Sequence, residues 1–231
     1  MRSWLPHLPF LGDKSALVKG TNPASLVASS FLILIVIGAL LLRSDWATHV
    51  PISWSDALFT ATSAVTVTGL AVLDTDTHFT TAGQMVLLVL VQLGGIGIMT
   101  FAALTLLLLG HQLGIGEQRL VREAMNHTRV MDLGWLIKRI FVLVFVIELV
   151  GFLLLSVILI PDQGWLTGSY HALFYSISAF NNAGFALTSE SLVPKAGHWP
   201  LALVLGSLAV IGGLGFTVLA ELRLRTRWSA M

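Results

Sequence analysis

The sequence has no cysteine among its 231 residues, and only 11% of its residues are charged. The lack of cysteine excludes disulfide bonds, thiolate metal sites and cysteine nucleophiles. The net charge of +1 provides no basic surface for nucleic acid. Between Thr77 and Gly116, forty residues include no Asp, Glu, Lys or Arg. Since about 20 apolar residues cross a bilayer, this composition predicts an integral membrane protein.

Four long apolar runs alternate with two shorter, semi-polar segments. Each long run is long enough to span a membrane, and the third is expected to end at Pro161. The short segments, Trp54–Val65 and Ser169–Phe180, are too short to span and suit re-entrant helices. The sequence therefore predicts an all-α membrane fold with four transmembrane helices and two re-entrant pore helices. The four long runs cover residues 25–42, 82–109, 136–160 and 200–222.

The sequence contains an internal repeat. Residues 56–71 align without gaps on residues 171–186, at an offset of 115, with seven of sixteen positions identical. Gly69 aligns with Gly184 in this match. A second motif at 93–98 aligns on 211–216 at an offset of 118. Both copies run in the same direction, so we expect parallel repeats around an axis along the membrane normal, which suits a central pore.

The distribution of basic residues predicts the orientation. With the N-terminus in the cytoplasm, eleven of the 13 Lys and Arg residues lie inside, and only Arg43 and Lys195 lie outside. The short helices then enter from the outer face. The predicted divisions are a cytosolic segment 1–22, a first helix–pore–helix repeat 23–110, a cytosolic loop 111–135, a second repeat 136–222 and a cytosolic end 223–231.

Each short helix is followed by a loop that ends in glycine. A cation that crosses a membrane must exchange its water for other oxygens, and rings of backbone carbonyls supply them. Glycine permits the dihedral angles that aim consecutive carbonyls at one axis, and the negative end of the preceding helix favours a cation. We therefore predict a cation selectivity filter formed mainly by backbone. It consists of the first loop (Thr66, Val67, Thr68, Gly69) and the second loop (Asn181, Asn182, Ala183, Gly184).

Two groups of glycines lie within apolar runs. Small residues of this kind are commonly helix-packing positions, and the first group also marks a place where the long second run is expected to bend. We interpret both groups as packing positions rather than as a phosphate-binding loop. They are Gly94, Gly95 and Gly97, and Gly212, Gly213 and Gly215.

Four acidic residues have two interpretations each. Asp74, Asp76 and Glu190 follow the two loops, either as solvated loop residues or as a mouth that concentrates cations. Glu148 lies in the middle of the third run, either as a functional carboxylate or as a hydrogen-bonded residue that joins two helices. The sequence shows no paired carboxylates, Ser/His pair or metal-ligand spacing, so it does not predict an enzyme or a bound cofactor.

Five segments together resemble the Trk/Ktr/HKT superfamily of potassium transporters. The resemblance implies four helix–pore–helix hairpins around one pore, with a filter glycine in each. It also implies potassium uptake, passive or ion-coupled as in a symporter, across the plasma (inner) membrane. Partners implied are a second membrane subunit and a cytosolic nucleotide-binding regulatory ring that contacts Arg119–Asn126. Gly69, in place of serine, is similar to the potassium-selective members. The five segments are residues 64–70, 92–101, 118–126, 180–185 and 212–216.

Only two of the four implied hairpins are present. We expect the chain to be a fragment of a four-hairpin transporter. The alternative is that two half-chains pair to complete one pore. In either case the chain alone is not expected to conduct. Two further functions stay open, namely a non-conducting half-size subunit that assembles with a partner, and a sodium-permeable member of the same superfamily.

Overall fold

The structure, a computed structural model, describes residues 23–110, 133–188 and 198–214. Within these ranges the regular secondary structure is helical, as predicted, and one isolated antiparallel bridge joins Thr48 and Phe79. The helices are α1 Pro23–Leu42, α2 Trp54–Val65, α3 Thr75–His78, α4 Thr81–Gly110, α5 Leu133–Gln163, α6 Trp165–Phe180 and α7 Trp199–Gly213.

Two of these helices are long and apolar enough to cross a membrane. They contain the apolar segments Thr81–Phe101 of α4 and Ile140–Gln163 of α5, while Val27–Leu42 and Trp199–Gly213 are shorter apolar helical segments among the described residues. The face of α5 that points away from the other helices exposes a stripe of large apolar side chains, which includes Phe145, Leu149 and Leu153. The prediction of four transmembrane helices is therefore supported for α4 and α5, and stays a prediction for α1 and α7.

The helices pack as two similar groups of three. In the first group α1 and α4 both contact the short helix α2, and in the second α5 and α7 both contact the short helix α6. Helix α4 also contacts α5 and α6, and so links the groups. Small side chains make close packing possible. Ala57, Ala61 and Ala64 of α2 are completely buried in the core.

Three helix boundaries have identifiable causes. Helix α2 has the predicted bounds, and the Ser53 hydroxyl caps it by accepting from the Asp56 N–H at 3.1 Å. Helix α6 begins earlier than the predicted Ser169, because Gly164 has a φ of 80° and turns the chain directly from α5 into α6. The prediction that Pro161 ends the third run was wrong. Helix α5 continues to Gln163, because a proline in an exposed last turn removes only one hydrogen bond.

Helix α3 was not predicted from the sequence. The Asp74 carboxylate begins it by accepting hydrogen bonds from the N–H groups of Asp76 at 2.9 Å and Thr77 at 3.3 Å. Asp74 is therefore a helix cap as well as a loop residue. Glu190, Gly215 and the segment Arg119–Asn126, which the sequence also singled out, lie outside the described residues.

Candidate functional site

The first and second loops share an unusual backbone conformation. Val67 and Gly69 have φ angles of 54° and 77°, and their counterparts Asn182 and Gly184 have 58° and 71°. Positive φ is uncommon for residues other than glycine and is especially unfavourable for a β-branched residue such as valine. Because the same two positions are left-handed in both copies, the two loops follow the same path.

The hydrogen bonds that hold each loop also repeat at an offset of 115 residues. In each copy, three successive N–H groups donate to carbonyls in the last turns of the preceding short helix. The loop is thereby tied to the end of its helix, where the helix dipole is negative. The first loop has Thr66 to Thr62 at 2.9 Å, Val67 to Ala64 at 3.3 Å and Thr68 to Ser63 at 3.0 Å. The second has Asn181 to Ile177 at 3.1 Å, Asn182 to Ala179 at 3.0 Å and Ala183 to Ser178 at 2.8 Å.

The two loops meet at their glycines. A Cβ atom placed on Gly184 would lie 3.1 Å from the Cα atom of Gly69, and one placed on Gly69 would lie 3.1 Å from the carbonyl oxygen of Ala183. Any side chain at either position would therefore be strained by its positive φ and would crowd the opposite loop. The close approach requires glycine at both places.

Gly94 and Gly212 support the ends of the two short helices. A methyl group on Gly94 would overlap the carbonyl of Val65, and one on Gly212 would overlap the carbonyl of Phe180. Val65 and Phe180 are the last residues of α2 and α6, and both are fully buried. Each glycine thus lets a neighbouring helix, α4 or α7, approach the carbonyl that immediately precedes a loop.

The other predicted packing glycines have different neighbours. A Cβ on Gly97 would lie 3.2 Å from the Phe31 ring of α1, and one on Gly213 would lie 3.8 Å from the side-chain nitrogen of Asn182. A Cβ on Gly95 would overlap the side chain of Asn181. Helix α4 stays helical through Gly94, Gly95 and Gly97.

A buried polar cluster lies beside the second loop. The Glu148 carboxylate of α5 accepts hydrogen bonds from the Gln92 side chain of α4 at 3.0 Å and from the Asn181 side chain at 3.1 Å. The Asn181 amide nitrogen also approaches the side-chain oxygen of Gln92, at 3.3 Å. Glu148 and Asn181 are only 4% and 7% exposed. These contacts agree with the second interpretation of Glu148, in which it is a hydrogen-bonded residue that joins helices.

Sequence reasoning did not identify Gln92 as part of this cluster. The available signal was a lone amide within an apolar run, since a polar side chain at membrane depth needs a partner. The sequence-based prediction also emphasised the backbone of Asn181 and Asn182 over their side chains. In the structure both side chains form hydrogen bonds, and that of Asn182 donates to the Ala209 carbonyl of α7 at 3.2 Å.

A second polar link joins the two repeats, between α4 and α6. The Gln84 side chain donates to the carbonyls of Thr75 and Phe79, each at 3.2 Å, and accepts from the Tyr170 hydroxyl of α6 at 2.9 Å. Nearby, residues 71–75 and 184–186 line an open recess directly beside the loops, and Asp74 is among its lining residues. Asp76 is exposed.

Comparison with models of protein families identifies the family to which the chain belongs. The family model TrkH, described as "Cation transport protein", matches residues 7–230. The chain belongs to the TrkH family. This is a family of transporters and not of enzymes, in agreement with the sequence prediction. Membership in it, together with the apolar helices, identifies the chain as a membrane protein.

Several curated relatives of this TrkH-family chain are named as uptake proteins. The chain is 46% identical over 207 residues to the Ktr system potassium uptake protein B of Bacillus subtilis, covering 90% of this chain and 46% of the relative. It is 44% identical to the protein of the same name from Vibrio alginolyticus, covering 88% and 44%. The potassium/sodium uptake protein NtpJ of Enterococcus hirae is 36% identical, covering 89% and 46%. The chain thus spans about half the length of these relatives.

Proposed function

We propose that this chain forms part of a potassium uptake transporter, and that the first and second loops are two segments of its selectivity filter. The observation that carries the proposal is the repeated loop backbone, in which two left-handed positions recur and the two glycines meet. Relatives at 44% and 46% identity are named potassium uptake proteins, which supports potassium as the ion transported.

The local electrostatics favour a cation at these loops. Each loop begins at the C-terminal end of a short helix, where the helix dipole creates a negative potential. No formal charge is needed, because carbonyl oxygens can replace the water around a potassium ion. Thr66–Gly69 and Asn181–Gly184 supply those carbonyls in our proposal, and potassium is a substrate rather than a resident cofactor.

The proposed architecture has two parallel helix–pore–helix repeats, 23–110 and 136–222, in the plasma (inner) membrane. The short helices α2 and α6 are re-entrant and approach from the outer face. The N-terminus, the loop 111–135 and the end 223–231 are cytoplasmic, because these segments and the adjoining start of the second repeat, with Lys138 and Arg139, contain eleven of the 13 basic residues. The exposed apolar stripe of α5 then faces lipid.

The proposed partners follow from the family resemblance and from the relatives' names. Proteins named as members of a "Ktr system" suggest a transporter with several components. We propose that a cytosolic nucleotide-binding ring contacts Arg119–Asn126. We also propose that the membrane subunit forms a homodimer or pairs with a completing half-chain, which would surround the pore with four loops.

The test is potassium uptake in a bacterial host that lacks its own uptake systems. The complete reading frame that encodes this chain and a tandem of two copies of the chain are expressed separately, and growth and potassium-isotope uptake are measured at low external potassium. Uptake by at least one of them, and its loss in Gly69→Asp and Gly184→Asp, is the expected result. Gly164→Asp is the matched control, because it has a similar positive φ but open space around it. Absence of uptake from both wild-type forms rejects the proposal.

A sodium-permeable transporter is the second candidate. The observation that favours it is the Enterococcus hirae relative, which is named for both potassium and sodium. Uptake measured with potassium and sodium in separate and in mixed solutions distinguishes the two candidates.

A further inference from the structure

The first and second loops have the same backbone but are held by different side chains. Among the described residues, Thr66, the counterpart of Asn181, bonds to near neighbours, with its hydroxyl donating to the Thr62 carbonyl at 2.7 Å and lying 3.1 Å from the Thr68 hydroxyl. The Asn181 side-chain amide has the equivalent local bond, to the Ile177 carbonyl at 2.9 Å, and also bonds to side chains on two other helices, Gln92 on α4 and Glu148 on α5. The second loop is therefore attached to two further helices at a point where the described contacts of the first loop are local.

Asn181 lies at the junction between α6 and the second loop, so its attachment can affect the shape of the loop. Its N–H forms the last helical hydrogen bond of α6, and the next residue, Asn182, is one of the two left-handed positions of the second loop. A displacement of Asn181 therefore changes the path of the loop at its start. The Asn181 side chain is closely surrounded, since a Cβ atom on Gly95 would overlap it.

The Glu148 carboxylate is well placed to fix Asn181. Its two oxygens are shared, one accepting from Asn181 and the other from Gln92. The backbone of Glu148 is also attached to α6, because the Ser176 hydroxyl donates to its carbonyl at 2.7 Å. A buried donor that loses its acceptor is costly.

We infer that Glu148 and Gln92 are positioning residues that hold Asn181, and through it the second loop, in the shape that discriminates potassium from sodium. The inference rests on the proposed function and deepens it. Glu148 acts from behind the loop and does not contact the ion. The specificity of the filter then depends on a side-chain cluster on α4 and α5, outside the loops themselves.

The test measures the ratio of potassium to sodium uptake, with transport normalised to the amount of protein in the membrane. Glu148→Ala removes both accepted hydrogen bonds, and we expect it to lower the ratio about tenfold, since a buried donor left without its acceptor corresponds to about that factor. Glu148→Gln keeps the size and one acceptor oxygen, so its ratio should lie between those of the wild type and Glu148→Ala. Leu159→Ala, a buried change on the same helix, is the control for lost packing and should keep the wild-type ratio.

A double-mutant comparison distinguishes positioning from general destabilisation. If Glu148 acts through Asn181, then Glu148→Ala combined with Asn181→Ala should have the same ratio as Asn181→Ala alone. An unchanged ratio in Glu148→Ala, or equal effects of Leu159→Ala and Glu148→Ala, overturns the inference while the proposed function stands. Absence of wild-type uptake overturns both. If Glu148→Ala does not reach the membrane, Glu148→Gln decides, and a wild-type ratio in that variant overturns the inference.

Discussion

Gly69 and Gly184 lie so close together that a Cβ atom on Gly184 would be 3.1 Å from the Cα atom of Gly69. Both residues have positive φ, so a side chain at either position would be strained by its own backbone and would also crowd the opposite loop. This contact brings together two residues that are 115 positions apart, and it is the point at which the two loops meet.

We predict that Gly69→Ala and Gly184→Ala each reduce potassium uptake by about tenfold or more, because each adds a steric contact to a backbone strain of about 1–2 kcal/mol. Gly164→Ala should have the same strain without the contact, since nothing lies within 4 Å of its Cβ position. Isotope uptake at equal protein level measures the difference. Equal losses in all three variants would mean that strain alone matters and that the glycine contact does not.

We predict that Gly212→Ala destabilises the protein by about 1–3 kcal/mol, as is typical of overpacking, because the new methyl group displaces the Phe180 carbonyl. Gly206 lies on the same helix with open space at its Cβ position, so Gly206→Ala should be neutral or stabilise α7 by up to about 1 kcal/mol. The thermal midpoint in detergent measures both. A Gly212→Ala midpoint at or above that of Gly206→Ala would contradict the proposed support of α6.

We predict that Ser178→Ala lowers stability by about 1–3 kcal/mol, because the buried Phe185 carbonyl loses the hydroxyl that donates to it at 2.8 Å. Ser169 is the matched control, since its hydroxyl bonds, within the described part of the chain, to carbonyls of its own helix, those of Trp165 and Leu166. Ser169→Ala should therefore change stability by less than about 0.5 kcal/mol. Denaturant titration of the purified protein in detergent compares the two, and similar losses would show that the Ser178 bond is not specific.

We predict that Tyr170→Phe costs about 1 kcal/mol of stability by removing the hydrogen bond to Gln84. Gln84→Leu should cost more, because it also removes the bonds to the Thr75 and Phe79 carbonyls. In the double variant the Tyr170 change should add nothing further. Thermal unfolding of the four proteins measures this coupling, and fully additive losses would contradict a direct interaction between the two side chains. The potassium-to-sodium ratio should not change.

Much of the helical framework was predictable, for physical reasons that act locally. The length and polarity of Trp54–Val65 defined α2, and the gapless repeat made α6 and its loop recognisable as a second copy. Glycine at positions 69 and 184 indicated an unusual backbone, and both have positive φ in the structure. These features depend on sequence spacing and on residue types that restrict or free the backbone.

The remaining features depend on contacts between distant segments. The left-handed conformation of Val67 contradicts the ordinary preference of a β-branched residue, and only the surrounding fold maintains it. The cluster of Gln92, Glu148 and Asn181 joins residues that are 33 to 89 positions apart, so spacing alone does not reveal it. The short helix α3 was missed for a different reason, since its aspartate cap is local but the helix has only four residues.

The contacts of Gly94 and Gly212 also have a mechanical consequence. Helices α4 and α7 each meet the terminal carbonyl of a short helix, α2 or α6, at a position where only a hydrogen atom fits. A larger residue at either place would collide with that carbonyl unless the two helices moved apart. The spacing between the helices at the level of the loops is therefore set by one glycine in each pair, and a variant that widened it would also displace the carbonyl from which the loop begins.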